Sequence, residues 1–259
     1  MSTLLVERHD KVLHVTLNRP DVGNAFDGDL IAALIDCFTQ IATHPGVHVV
    51  VLAGAGKSFC AGADIKWMRS QGMKTPVDNA ADAIRTAAFF ERIDACPKPI
   101  VGRIHGPSRG GGVGLVSCID VPIGTPAATF ALTEVRLGMA PAVISPFVVA
   151  KIGARWAREL FLTGEVVSAE RGREIGLLNH LVPDDAALDA KVDETVGQLL
   201  LGGPNALAAC KDLARTIGRT PPDEAREKTA NLIAALRASP EGLEGMRAFV
   251  MKDKPAWTK

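Results

Sequence analysis

Apolar residues recur along this chain with two periods, and the change from one to the other divides it. Residues 4–6 and 12–17 read as two short strands joined by a polar turn, Arg8-His9-Asp10-Lys11. Asn18-Arg19-Pro20-Asp21 breaks that pattern. Leu30, Leu34, Cys37, Phe38 and Ile41 then return at helical spacing behind Asp27, a residue suited to cap a helix, and His44-Pro45-Gly46 closes the run. Residues 47–53 form a run rich in β-branched residues, as expected of a buried strand, and residues 100–104 read as a further strand. Between them the spacing predicts a short helix after Asp64 and a longer one over 79–95, ended by Cys96-Pro97-Lys98-Pro99. A strand over 119–124 follows. This repeat of strand, turn and helix predicts an α/β core with layered parallel strands. From Ala142 onward strand signals fall away. Helices are predicted over 155–162, 186–201, 204–217, 222–238 and 240–250, three of them opening on proline, which suits a first helical turn. Gly202-Gly203 reads as a hinge and divides the chain into a core, 1–200, and a helical C-terminal segment, 201–259.

A hydrophobic content of 47% over 259 residues is enough for a substantial core. The net charge is zero, so no global field points to nucleic acid or a membrane surface. No run approaches the roughly 20 apolar residues of a membrane span. The five cysteines are scattered and never in CxxC spacing, which argues for reduced thiols and against a metal site or disulfide framework. With no secretory signal at the N-terminus, a cytoplasmic protein is expected.

The chemistry-bearing feature is the triplet Gly110-Gly111-Gly112, between a strand-like and a helix-like run. Such glycines suit either close packing of a helix on a sheet or the approach of a ligand nearer than any side chain allows. Here they open a helix, so free N–H groups and the positive end of the helix dipole face whatever approaches, an arrangement that can hold a developing oxyanion. Lys57 to Ile65 follows one strand, the triplet another, and Thr133-Glu134-Val135-Arg136-Leu137-Gly138 a third. In open α/β sheets ligands collect at the carboxyl ends of strands, so three such loops can share one cleft.

Taken together, LNRPDVGNAF, FCAGADI, HGPSRGGGVGL, ALTEVRLGMAP, LTGEVVSAERGREIGLLNHLVP and EGMRAFVMKDKPAW resemble the crotonase superfamily, the enoyl-CoA hydratase/isomerase proteins, along almost the whole chain. The resemblance implies a crotonase-like spiral of ββα turns, a helical C-terminal trimerisation region, an acyl-CoA thioester substrate, and a homotrimer or homohexamer. It implies no cofactor, coenzyme A being part of the substrate, and no metal. Matched residue by residue, the oxyanion hole falls on the amides of Ala61 and Gly111, beside Gly110, and a catalytic glutamate on Glu134. Coenzyme A is expected around Ala63, Asp64 and Ile65, with Arg19, Lys57 and Lys252 near its phosphates. The chain departs from the family where a second glutamate should follow the triplet: it has Gly114. A single carboxylate could take a proton from water and return one to C2. The vacated volume is also expected to admit a branch or polar tail, with Arg109 a candidate for pairing a substrate carboxylate. These features look like the bacterial 3-methylglutaconyl-CoA hydratases of leucine degradation. Hydration of a 2-enoyl-CoA is the leading expectation. Isomerisation of a 3-enoyl-CoA and acyl-CoA binding without turnover are the alternatives. His105 and Cys60 are read as structural.

Overall fold

The computed structural model describes residues 2–259. In chain order its elements are β1 (Leu4–His9), β2 (Val12–Leu17), α1 (Gly28–Thr43), β3 (Val49–Gly54), α2 (Ile65–Gly72), α3 (Pro76–Asp94), β4 (Ile100–Ile104), β5 (Ser108–Arg109), α4 (Gly111–Cys118), β6 (Val121–Gly124) and β7 (Thr129–Ala131), then a 3-10 turn over Thr133–Leu137. There follow α5 (Ser145–Thr163), β8 (Val167–Ser168), α6 (Ala169–Glu174), β9 (His180–Leu181), α7 (Asp185–Leu200), α8 (Pro204–Thr216), α9 (Pro222–Ala238) and α10 (Pro240–Met251). This is the mixed α/β spiral with a helical C-terminal region that the sequence implies.

Six strands form the main sheet in the order β1-β2-β3-β4-β6-β9, and β5-β7-β8 form a second, smaller sheet. β1 and β2 pair antiparallel as a hairpin; from β2 onward the main sheet is parallel. The continuous apolar sequence of β3 has its cause here. Val50 and Leu52 enter the large core beneath α1, α3, α4 and α5, whereas Val49 and Val51 pack with Leu188, Val192 and Val196 of α7. α1 starts where expected, because the Asp27 carboxylate accepts from the Leu30 N–H, and it buries Leu30, Ile31, Leu34, Phe38 and Ile41.

Two differences from the sequence reading have clear causes. β5, β8 and β9 are two residues long, too short for alternation to show. α5 begins at Ser145, ten residues before its predicted start, because a kink at Gly153 (φ 77°, ψ 157°) interrupts the helical period.

The C-terminal helices are fastened by polar contacts. The Lys211 ammonium on α8 lies 2.7 Å from the Asp120 carboxylate, which also accepts the Ile100 N–H at 2.7 Å. Glu241 at the start of α10 accepts from the Asn205 and Ala206 N–H groups at the start of α8. Large apolar side chains lie open on α10, with Phe249 86% exposed and Val250 and Met251 beside it. Among the described residues, no helix is long and apolar enough to cross a membrane, and no cluster of His, Cys, Asp and Glu could hold a metal ion.

Asp120→Ala leaves a buried amide without its acceptor and a nearly buried ammonium with only the Lys98 carbonyl, at 3.3 Å. We expect it to cost about 2–3 kcal/mol, seen as a lower midpoint of urea unfolding at unchanged slope. An unchanged midpoint would show that the pair does not fasten α8.

Candidate active site

Four chain segments meet at one cavity of about 390 Å³. The Ala61–Ile65 loop, the glycine triplet, the 3-10 turn carrying Glu134 and the segment 139–144 all contribute to its wall, together with α2 and α3. Two single β-bridges hold the first loop in place, Phe26 with Ala63 on one side and Cys60 with Ser108, just ahead of the triplet, on the other. Asn24 fixes the loop from beneath. It is fully buried, its amide donates to the carbonyls of Ala55, Ser58 and Phe59, and its Oδ1 accepts the Arg19 N–H at 2.9 Å. Sequence reading passed over Asn24. It holds a positive φ of 59°, which asparagine tolerates well, and an asparagine beside Gly23 in a chain-breaking segment was the available signal.

The packing of these loops leaves no room for side chains. Gly62 sits at φ +86°, where a β-carbon would lie 2.5 Å from the Arg109 carbonyl oxygen and 3.1 Å from the Gly111 nitrogen. A β-carbon at Gly111 would collide with the Phe26 ring, and one at Gly112 with the Cys60 carbonyl. Gly110, at φ +47°, donates its N–H to the Ala131 carbonyl at 2.8 Å.

The expected pair of free amides needs one correction. The Ala61 N–H donates to the Gly23 carbonyl at 2.8 Å, so it has no proton left for a ligand. Two residues on, the situation reverses. Phe26 N–H donates to Gly62 O and Asp64 N–H donates to Phe26 O, which turns the intervening Ala63 amide away from Phe26. Among the described residues the N–H groups of Ala63 and Gly111 have no acceptor, and both residues line the cavity. Gly111 is the first residue of α4, where unpaired N–H groups are normal; Ala63 is not at a helix start.

Glu134 lies over the triplet. Its Oε1 is 3.0 Å from where a β-carbon of Gly110 would stand, and its Oε2 is buried with no hydrogen-bond partner. Burial pushes its pKa above the ordinary 4.5 of a glutamate. Gly114 gives a second correction. No vacated space exists beside it: a β-carbon there would collide with Ile144 and stand 3.0 Å from Phe90. Arg109 gives a third. Its guanidinium donates to Ser108 O and to the carbonyl and hydroxyl of Thr129 at 2.8–2.9 Å, tying β5 to β7 rather than standing free for a carboxylate.

The residues expected near coenzyme A divide. Ala63 and Ile65 line the cavity, with Ile65 exposed. The Asp64 carboxylate caps α2, accepting from Lys66 and Trp67 N–H, and these bonds hold its pKa below the usual range. Arg19 is engaged inside the protein: it pairs with Asp27 at 2.8 Å, reaches Asp64 at 3.4 Å and donates to Ala25 O. Lys57 and Lys252 are exposed, have no ion pair among the described residues and do not line the cavity. His105 bonds Gly56 O at 2.9 Å, and the wholly buried Cys60 thiol, pushed up to about 12, is not a nucleophile.

With this geometry in place, comparison with known proteins is decisive. The sequence model of the enoyl-CoA hydratase/isomerase family matches residues 7–259. The chain belongs to that family. It is 30% identical to the crotonyl-CoA hydratase of Syntrophomonas wolfei, over 97% of this chain and 96% of that one. The crystal structure of an enoyl-CoA hydratase from Shewanella pealeana superposes with a TM-score of 0.94 at 33% identity, over 99% of this chain and 96% of that one. AtuE of Pseudomonas aeruginosa superposes with 0.96 at 34% identity over the whole of both chains. The chain is an enzyme of the enoyl-CoA hydratase kind.

Gly114→Ala is expected to lower stability by about 1–3 kcal/mol through overpacking. A double-mutant cycle in urea with Ile144→Ala should return part of that loss as a favourable coupling. Strict additivity would show the two positions are not in contact.

Proposed function

We propose that this enzyme adds water across the C2=C3 bond of a 2-enoyl-CoA thioester. The Ala63 and Gly111 N–H groups donate to the thioester oxygen. When water attacks C3, the electron pair of the double bond moves through C2 toward that oxygen, and the two donors stabilise the resulting enolate charge. Glu134 accepts the proton that the attacking water loses. It then gives a proton to C2 as the enolate collapses, so that one carboxyl group serves as base and then acid. The observation that carries this reading is a buried, unpartnered carboxylate in the same cavity as two unpaired amides. The names of the relatives point the same way. Coenzyme A is placed against the backbone of Ala63, Asp64 and Ile65, and Lys57 and Lys252 are the cations left free for its phosphates. The exposed apolar end of α10 supports assembly into a trimer or hexamer. A cytoplasmic location accords with the scattered thiols.

The narrower substrate, 3-methylglutaconyl-CoA, was suggested by the likeness of the GGGVGL and EVRLGMAPAVISPFVV stretches, and a free Arg109 and space at Gly114 would have suited it. Arg109 is bonded to Ser108 and Thr129 and Gly114 is packed against Ile144, so the broader class is the one the geometry supports. A second reaction has one observation in its favour. Ile144 fills the position of the missing acid, and a lone carboxylate also suffices to move a proton between C4 and C2 of a 3-enoyl-CoA. Offering the enzyme 2-enoyl and 3-enoyl thioesters in parallel separates the two. We expect the 2-enoyl compound to be hydrated, and sole consumption of the 3-enoyl compound would favour isomerisation.

Glu134→Gln should lower kcat for hydration by about 10²–10⁴-fold, and near-normal turnover would reject the role. The wild-type rate should carry an acid limb centred above pH 4.5, because the carboxyl must be ionised to accept a proton and burial disfavours that form. Stability should move the opposite way. A folded-state pKa above the unfolded one costs stability once pH exceeds the unfolded value. Glu134→Gln should therefore melt no lower than wild type at pH 7, and a marked drop would mean that Glu134 supports the fold.

A further inference from the structure

The loop that carries the free Ala63 amide is tied along its length to residues 19–26. Asn24 holds its near end through the carbonyls of Ala55, Ser58 and Phe59, and Gly23 O accepts the Ala61 N–H. Phe26 holds its far end, donating to Gly62 O and accepting from the Asp64 N–H. In a trans peptide the carbonyl and the N–H point in opposite directions. The bond from Phe26 to Gly62 O therefore aims the Ala63 N–H, and whatever holds Asp64 limits how far that peptide plane can turn.

Arg19 holds Asp64. Its Nη2 lies 2.8 Å from the Asp27 carboxylate and 3.4 Å from that of Asp64, and its Nη1 donates to Ala25 O. The three charged side chains are between 18% and 23% exposed, so the cluster is largely withdrawn from water. Neither helix cap needs the cation. The other Asp27 oxygen already accepts from Leu30 N–H, and the other Asp64 oxygen from Lys66 and Trp67 N–H. What the guanidinium adds is a link between the two caps and the Ala25 carbonyl, which a planar fork can make and a lysine cannot. The backbone of Arg19 is itself fixed. Its N–H donates to Asn24 Oδ1 at 2.9 Å and its carbonyl accepts the Asn24 N–H at 2.8 Å. The two side chains thus leave one closed turn for opposite ends of the same loop.

We propose that Arg19 is a positioning residue of the hydration reaction: by clamping Asp64 to Asp27 and to Ala25 it keeps the Ala63 N–H aimed at the thioester oxygen. It touches no substrate atom, and it is not the phosphate ligand that the sequence resemblance implied. The kinetic arm of the test rests on the hydratase reading; the spectroscopic arm does not.

Arg19→Met, Arg19→Lys and Asp64→Asn are compared with wild type on crotonyl-CoA and on crotonyl-pantetheine, which lacks the nucleotide and every phosphate. Arg19→Met should lower kcat about 10–100-fold, the effect expected when a donor is displaced by about 1 Å. The factor should be the same for both thioesters, with KM changed less than kcat. Arg19→Lys should recover only part of the loss. Asp64→Asn keeps a cap acceptor and should show a smaller loss of the same kind, to which Arg19→Met adds little. A role confined to stability would not alter the absorption band of bound 4-dimethylaminocinnamoyl-CoA, which moves to longer wavelength as donors draw charge onto the thioester oxygen. Arg19→Met should reduce that red shift. A wild-type red shift in the variant, an unchanged kcat, or a loss confined to the KM of the coenzyme A ester overturns the proposal, the last by giving Arg19 to the phosphates. Should Arg19→Met not fold, Arg19→Lys and Asp64→Asn decide by the same readouts. A wild type that hydrates neither thioester, with a red shift that falls in Arg19→Met, sinks the hydratase reading alone. Hydration with a red shift indifferent to Arg19 sinks the positioning role alone.

Discussion

Two backbone N–H groups without acceptors, on loops that are nearly fifty residues apart in sequence, are the constraint around which this fold is arranged. Most backbone amides find a partner, because an unpaired buried one costs about 1–3 kcal/mol; these two belong to half-buried residues on the cavity wall and stay open. Here the surroundings are specific. The bridge to Phe26 turns the Ala63 amide into the cavity, the buried Asn24 side chain holds the loop before it, and the start of α4 leaves the Gly111 amide open. Gly62 and the glycine triplet let the two loops approach until backbone meets backbone. The donors are in place before any ligand arrives, which is the condition under which such groups stabilise developing charge most effectively.

The carboxylate beside them has a matching economy. Glu134 has one oxygen buried without a partner and a raised pKa, so its charged form is disfavoured and its readiness to take a proton is enhanced. With Ile144 and Phe90 closed over Gly114, that position supplies no acid. In the proposed mechanism addition and protonation are both served by Glu134. Both new bonds at C2 and C3 are accordingly expected on the same face of the substrate.

What the sequence made legible, and what it hid, follows from the range of the interactions involved. α1 was readable because its cap and five buried positions are local, and β3 because both of its faces are covered. The catalytic loops were recognisable as motifs, and Glu134 and Gly111 lie where the motifs put them. The expectation of a free amide at Ala61, where the structure leaves Ala63 unpaired instead, arose because which amide is free depends on partners outside the motif. Gly23 takes the Ala61 proton and Phe26 turns Ala63, and neither relation has a sequence signature. Arg109 and Gly114 misled for the same reason: Thr129 and Ile144, which engage and fill them, lie twenty and thirty residues away.

A crystal structure with a bound saturated acyl-CoA tests the central claim most directly. The account predicts the thioester oxygen within about 2.7–3.1 Å of both the Ala63 and Gly111 nitrogens, with a Glu134 oxygen facing C2 and C3. A thioester oxygen held elsewhere, or an Ala63 amide bonded to another group of the protein in the complex, would contradict it.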